Sequence, residues 1–529
     1  MINKKIQLWL PLFFSITMIV GMYLGYKMRD NMPGKGFFYT EKHRPMQEIM
    51  DLIESKYVDD VKVDSLADTA IQAILSKLDP HSVFIPAEQL QDVNDDLAGK
   101  FYGIGIEFNI FDDTLNVTNV LKGGPGDKAG LTVGDKFLKV GDSIVTGKKA
   151  AVDEFKKLLR GSRGSDVSVT YLRNGTQKTV KMTRDAIPLA SLDASYMITK
   201  DIGYIRLNKF ASTTYHEFMD ALLELKKQGL QKLVLDLRGN GGGILEEAVD
   251  IADELLSDDK LITYTEGKHV AKKEYRCHRN GQFEKGQLVV LADEGTASAS
   301  EILIGALQDW DRATIIGRRT FGKGLVQEQY ELSDKSALRL TIARYYTPIG
   351  RSIQRPYTKG DKAYYDEISN RYHNGETQSA DSVKNDTTKA FKTKAGKKVY
   401  GGGGITPDHF IALDTSLYSP LLLKLFTRSA IPGFSYRYYL KNQKQLNAYK
   451  KPAEFVTGFS FADADWQQFG NLAIIDSVDI KLLSPREKAN LTNNIKAALA
   501  RQLWRTEGYF EVLNTTDNGI KKALEVLGN

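Results

Sequence analysis

Leu235-Asp236-Leu237-Arg238-Gly239-Asn240-Gly241-Gly242-Gly243 is the stretch on which the reading of this chain turns. Lys232–Leu237 has the apolar run of a buried strand, and the helical pattern of Ile244–Leu256 follows the glycines. Four glycines in five positions cost conformational entropy on folding, so they are not there for stability. They make sense where bare amides must approach a ligand closely, as in an anion-accepting nest or an oxyanion hole. A phosphate loop is the rival, but the Gly-Lys-Ser/Thr ending is missing, and no G-x-G-x-x-G with a ribose-binding acid follows.

The same strand-then-helix rhythm extends on both sides, from residue 190 to about 355. Ile202–Leu207, Gln287–Leu291 and Thr314–Ile316 read as strands, and 213–228 and Ser298–Gln308 as helices. This alternation predicts an α/β core whose strand ends feed loops. Two of those loops carry candidate chemistry. In Leu288-Val289-Val290-Leu291-Ala292-Asp293-Glu294-Gly295-Thr296-Ala297-Ser298-Ala299-Ser300-Glu301 a strand turns into a helix at a serine, where the Ala299 amide can donate to an oxyanion. Serines also serve as plain helix caps, and this segment alone favours that reading. In Thr320-Phe321-Gly322-Lys323-Gly324-Leu325-Val326-Gln327 a lysine lies between glycines amid apolar residues. A desolvated lysine can act as a base near neutral pH, whereas an isolated Gly-Lys-Gly is usually a solvated turn. The seven histidines are scattered, none in a glycine-rich or strand-end loop of the core, which argues against a Ser-His-Asp triad and a metal-ligand cluster. His81, beside Pro80, reads as structural.

Residues 101–185 form a different pattern, with short alternating runs broken by turn clusters such as Asn174-Gly175, as expected of a small β-rich module with one or two helices. Residues 40–100 show helical spacing interrupted at Leu78-Asp79-Pro80-His81-Ser82. Residues 356–400 are polar and aperiodic and are expected to form a loop or insertion. From about 415 to 529 amphipathic helical stretches appear without recognisable chemistry. At the N-terminus Lys4 and Lys5 precede an uncharged apolar run from Ile6 to Tyr26, followed by Lys27, Arg29 and Asp30, which predicts an uncleaved transmembrane anchor over residues 1–30 with an exported body. A net charge of +6 against 72 basic and 66 acidic residues gives no nucleic-acid footprint, and the single cysteine, Cys277, excludes an internal disulfide.

Taken together, Thr296-Ala297-Ser298-Ala299-Ser300-Glu301, Phe321-Gly322-Lys323-Gly324, Gln327 and the Leu237–Gly243 loop resemble the C-terminal processing (tail-specific) peptidases of family S41, including the 25-residue spacing from serine to lysine. Tyr102-Gly103-Ile104-Gly105-Ile106 resembles the carboxylate-binding loop of a PDZ domain; Gly123-Gly124-Pro125-Gly126-Asp127 departs from the serine-proline-alanine usual there. The resemblance implies an α/β protease core (ClpP/crotonase-like) over 190–412, a PDZ insertion over 101–185, a helical N-terminal domain over 40–100 and a helical extension over 413–529. It implies Ser298 as nucleophile, Lys323 as base and Gln327 as its orienting partner, with the oxyanion held by Ala299 and one amide of Gly242 and Gly243. Gly103, Ile104, Gly105 and Ile106 would take a peptide carboxylate. The expected substrates are proteins with apolar C-termini, in the bacterial periplasm at the inner membrane, without metal or cofactor; self-association or an adaptor is a further option. The rivals are a PDZ scaffold that has lost its chemistry and an acyl-thioester enzyme of related core.

Overall fold

A computed structural model describes residues 4–31, 45–147, 152–384, 386–415, 419–428 and 430–528; residues 40–44 of the expected N-terminal helical region lie outside them. Residues 1–71 and 72–529 form two compact units.

In the first unit Lys4–Asn31 is one helix with Pro11 inside it. Among the described residues no helix is long and apolar enough to cross a membrane, so the expected transmembrane anchor is not supported. The helix carries Lys4 and Lys5 at one end and Lys27, Arg29 and Asp30 toward the other. Ser15 and Thr17 turn their hydroxyls back onto carbonyls four residues earlier.

The second unit is built around an α/β core. Its main sheet has six strands in the order Leu192–Met197, Ile202–Leu207, Lys232–Asp236, Gln287–Ala292, Thr314–Gly317 and His409–Phe410. The first pair is antiparallel and the remaining pairs are parallel. The helices Thr214–Lys227, Leu245–Leu255 and Ala299–Asp309 pack on one face, over Ile205, Leu207, Leu233, Leu235 and Val290. Strand residues are apolar toward both faces because both are covered. The second face, with Val234, Val289 and Ile316, meets Ile520, Ala523 and Leu527 at the very end of the chain. An antiparallel sheet joins Val83–Ile85, Leu261–Glu266, Lys273–Arg276, Leu325–Glu331 and Ala337–Tyr346.

Between residues 100 and 188 stands a separate sheet, in the order Ile106–Phe111, Thr114–Val120, Lys136–Val140, Asp166–Arg173 and Thr176–Thr183, around its own core of Leu115, Val117, Phe137 and Val169. Ile106–Phe111 is its edge strand, and the helix Val152–Leu159 belongs to the same module. Helices from Pro420 to Asn514 pack around a third core that includes Phe434, Phe455, Phe469 and Leu491.

The segment expected to be a loop over 356–400 instead contains the helix Asp361–His373 and the hairpin Ala390–Lys392/Lys398–Tyr400. Its polarity misleads because the charges are paired inside. Glu367 binds Arg319, Arg355 and Arg371, of which the last two are almost entirely buried, and against the cost of burial these cations hold its carboxyl well below the usual range.

Candidate functional site

Three loops leave the carboxyl ends of neighbouring parallel strands: 237–243, 293–298 and 318–324. That edge is where open α/β sheets bind ligands. The loops are tied to one another by backbone groups. Asp293 accepts from the amides of Gly239 and Gly295, at 2.9 and 3.0 Å. Thr296 donates its hydroxyl to Leu237 O at 2.8 Å. Fully buried Asn240 accepts through its own carbonyl from Ala297 N and Ser300 Oγ, each at 3.0 Å.

These bonds separate the two serines. Ser300 is fully buried and its hydroxyl is engaged with Asn240, whereas Ser298 is partly exposed. Ser298 also has φ 57° and ψ −119°, a conformation that is costly for a residue with a side chain. The surrounding bonds hold it there: its amide donates to Glu301 Oε2 at 3.0 Å, and its carbonyl accepts from Glu301 N and Ile302 N at 2.8 and 3.0 Å.

The glycine loop is shaped by close approach to this serine. A Cβ on Gly242 would lie 2.7 Å from both Ala297 O and Ser298 Cβ, and one on Gly243 would lie 2.0 Å from Phe210 O. Gly242 has φ +94° and Gly243 φ +145°, so both positions need glycine on two counts. The Gly242 amide donates to Asn240 Oδ1 at 2.9 Å.

Glu301 joins the serine loop to the lysine loop. This fully buried carboxylate accepts from the amides of Ser298, Gly322 and Lys323 at 3.0, 2.8 and 2.8 Å, and from the Thr320 hydroxyl. Burial pushes its carboxyl up to about 7, against the pull of these donors. Tyr345 adds a second tie: its hydroxyl stands 2.6 Å from Lys323 O and 3.1 Å from Ser298 O. Gly322 and Gly324 let the lysine loop pack on Gly404 and Gln354, where a Cβ would come within 2.9 and 3.0 Å of backbone nitrogens.

Lys323 is held in a site that disfavours its charge. Desolvation, with Arg339 nearby, brings its amine down to about 8, although Glu301 and Asp79 favour the cation. Asp79 comes from the helix break near Pro80. It accepts from the amides of His81 and Ser82 and from the hydroxyls of Ser82 and Thr341. The Gln327 amide donates to Thr341 Oγ1 at 3.3 Å, so Gln327, Thr341 and Asp79 form a row beside the lysine. His81 lies on the same side. Burial, with Lys323 close by, lowers its imidazole to about 4, and its Nε2 is 2.9 Å from the Tyr364 hydroxyl. A cavity of about 670 Å³ is lined by His81, Gly241, Ala297, Phe321 and Lys323 among others.

Sequence reasoning therefore gave Glu301, Asp79 and Thr341 no role and left His81 outside the site. The signal for Glu301 was present, three residues after Ser298 and inside the quoted motif. Asp79 and His81 reach the lysine only through the pairing of Val83–Ile85 with Ala337–Tyr346, which no local pattern reveals. No group of three or more His, Cys, Asp or Glu is placed to hold a metal ion among the described residues.

At the PDZ-like loop, Gly105 has φ +73° and its carbonyl accepts from Leu121 N at 2.8 Å, while Ile104 O accepts from Gly126 N at 2.7 Å. A Cβ at position 126 would sit 2.9 Å from Ile104 O, so glycine where the family usually has alanine lets the two segments close up.

The profile of peptidase family S41 matches residues 201–363, that of the PDZ domain residues 103–183, and that of a family of unknown function, DUF8443, residues 421–505. A probable CtpA-like serine protease of Staphylococcus aureus is 35% identical over 318 residues, which cover 60% of this chain and 63% of that protein, less than two thirds of its length. A carboxy-terminal-processing protease of Bartonella bacilliformis is 35% identical over 315 residues, covering 58% of this chain and 71% of the relative. Among solved structures, the photosystem II D1 C-terminal processing protease matches 71% of this chain and 94% of its own, with 27% identity and a TM-score of 0.35. By the family profile and the Bartonella relative, this chain belongs to peptidase family S41, with the carboxy-terminal-processing proteases.

Proposed function

We propose that the chain is a serine endopeptidase that captures the C-terminal tail of a protein with its PDZ module and cuts the chain with a Ser298–Lys323 pair. The observation that carries this reading is one buried carboxylate, that of Glu301, which accepts from the backbone amides of both residues and so fixes one loop against the other. The serine passes its hydroxyl proton to the neutral Lys323 amine as Oγ bonds to the scissile carbonyl carbon. The lysine then protonates the leaving amine as the C–N bond breaks. Water, deprotonated by the same lysine, releases the acyl group from Ser298. Ala299 N, at the start of the helix Ala299–Asp309, and Gly243 N are the proposed oxyanion donors, since the Gly242 amide is already used by Asn240. Gln327 acts through Thr341 and Asp79 as a positioning residue.

The lysine gives this proposal a pH signature. Its ordinary amine would be almost wholly protonated at neutral pH, but at about 8 an appreciable fraction is the free base. The kcat/KM for a tailed peptide is therefore expected to rise tenfold per pH unit below about 8 and to level off above it. A profile flat from pH 6 to 9 would remove Lys323 as the base.

A periplasmic location belongs to the same proposal, supported by the Lys4-Lys5 start and the apolar residues after it. Recovery of the chain in the cytosolic fraction of bacterial cells would overturn it.

A further inference from the structure

Ile106–Phe111, an edge strand, and the helix Val152–Leu159 border a cavity of about 600 Å³, and the loop Gly103–Ile106 lines it too. Much of the remaining wall comes from far along the chain: Phe426, Ile431, Ala498, Arg501 and Tyr509 of the C-terminal helices. Contacts on both sides hold that wall in place. Phe111 stacks on Tyr436 with ring centres 5.2 Å apart, and Arg501 and Arg505 reach Glu107 on the edge strand at 3.4 and 2.8 Å. Arg505 does so from a break in the helix Pro485–Asn514, with φ 56° and ψ −145°.

Two wall residues carry an unsatisfied polar atom. Ser435, 1% exposed, has a hydroxyl without a hydrogen-bond partner, and so has the side-chain oxygen of Gln502. Buried polar groups are rarely left so, because each costs free energy until a partner arrives. An extended peptide supplies what every part of this cavity lacks: a strand for the free edge, apolar side chains for Ile431 and Ala498, and polar backbone groups for Ser435 and Gln502.

We propose that this is a composite tail-binding site: the Gly103–Ile106 loop receives the carboxylate of an apolar C-terminal tail, and the helices of residues 421–509 select the side chains that precede it. The inference rests on the PDZ reading above and adds to it that specificity is set by the C-terminal helices.

Binding of fluorescent peptides to the full chain carrying Ser298→Ala tests it, with a panel of apolar tails, each as free acid and as amide. Ala498→Trp, which fills the cavity, is expected to weaken binding of the free-acid tails at least tenfold. Phe426→Ala, at a partly exposed position, is expected to change the order of preference within the panel. Thermal melting checks that each variant is folded; if Ala498→Trp does not fold, Phe426→Ala decides alone. Free-acid tails bound over amides, with the dissociation constants of the folded variants within twofold of the parent throughout, would overturn the composite site and leave the PDZ reading standing. No binding, or equal binding of acid and amide, would overturn the PDZ reading and this inference with it.

Discussion

Lys323→Ala is expected to fold normally and to lose three to four orders of magnitude or more in kcat/KM against a tailed peptide, roughly the contribution of a positioned general base. The fold should not miss the side chain. The loop is held by the Lys323 amide on Glu301 and its carbonyl on Tyr345, and alanine keeps both. Stability should change in a direction that identifies the cause. The folded-state pKa is lowered, so the fold disfavours the charged amine. That cost is fully present below about pH 8 and fades as pH rises toward the ordinary lysine value, where both states become neutral. The alanine variant should therefore melt above the parent at pH 6, with the gap closing by pH 10. Ser298→Ala should show the same loss of activity without this pH-dependent gain. Substantial hydrolysis by purified Lys323→Ala would sink the lysine-base mechanism.

Glu301→Gln should be strongly damaging for so conservative a change, costing about 2–4 kcal/mol of stability along with most of the activity. Three backbone amides and a hydroxyl converge on this carboxylate in a site with no exposure. An amide side chain offers one acceptor oxygen and turns its NH₂ toward donors, leaving at least one buried N–H facing another. The Ser298 conformation depends on one of these bonds, so the strain would relax and the hydroxyl would move. The cost should be larger at pH 6 than at pH 8.5. The fold raises the parent carboxyl to about 7, so at pH 6 it keeps a proton that the unfolded chain has lost, and that stabilisation fades as pH rises through 7, whereas the glutamine does not titrate. Urea unfolding at pH 6 and 8.5 measures the difference. A cost below about 0.5 kcal/mol at both, with full activity, would show that Glu301 is not the clamp described here.

Some features were legible from residues because they are local. The apolar run Lys232–Leu237, the glycines after it and the helical spacing to Leu256 form one strand–loop–helix unit whose cause lies within one short contiguous stretch. Asn174-Gly175 marks a turn for the same reason, and it joins Asp166–Arg173 to Thr176–Thr183. The polarity of 356–400 failed as a guide, since charge counts cannot tell a solvated loop from arginines and glutamates paired in a core.

By itself the sequence determined that an α/β unit with a glycine-rich strand end, a serine at a helix start and a lysine between glycines lies in one chain, and which family it resembles. It did so because strand and helix periodicity and turn chemistry act over short spans. Only the tertiary structure decided that Asp79 and His81, more than two hundred residues from Lys323, share its surroundings, that Glu301 fastens Ser298 to it, and that helices near the C-terminus wall the PDZ groove. Those placements follow from strand pairing and from the burial of separate apolar faces against one another, and such long-range closure leaves no period in the sequence to read.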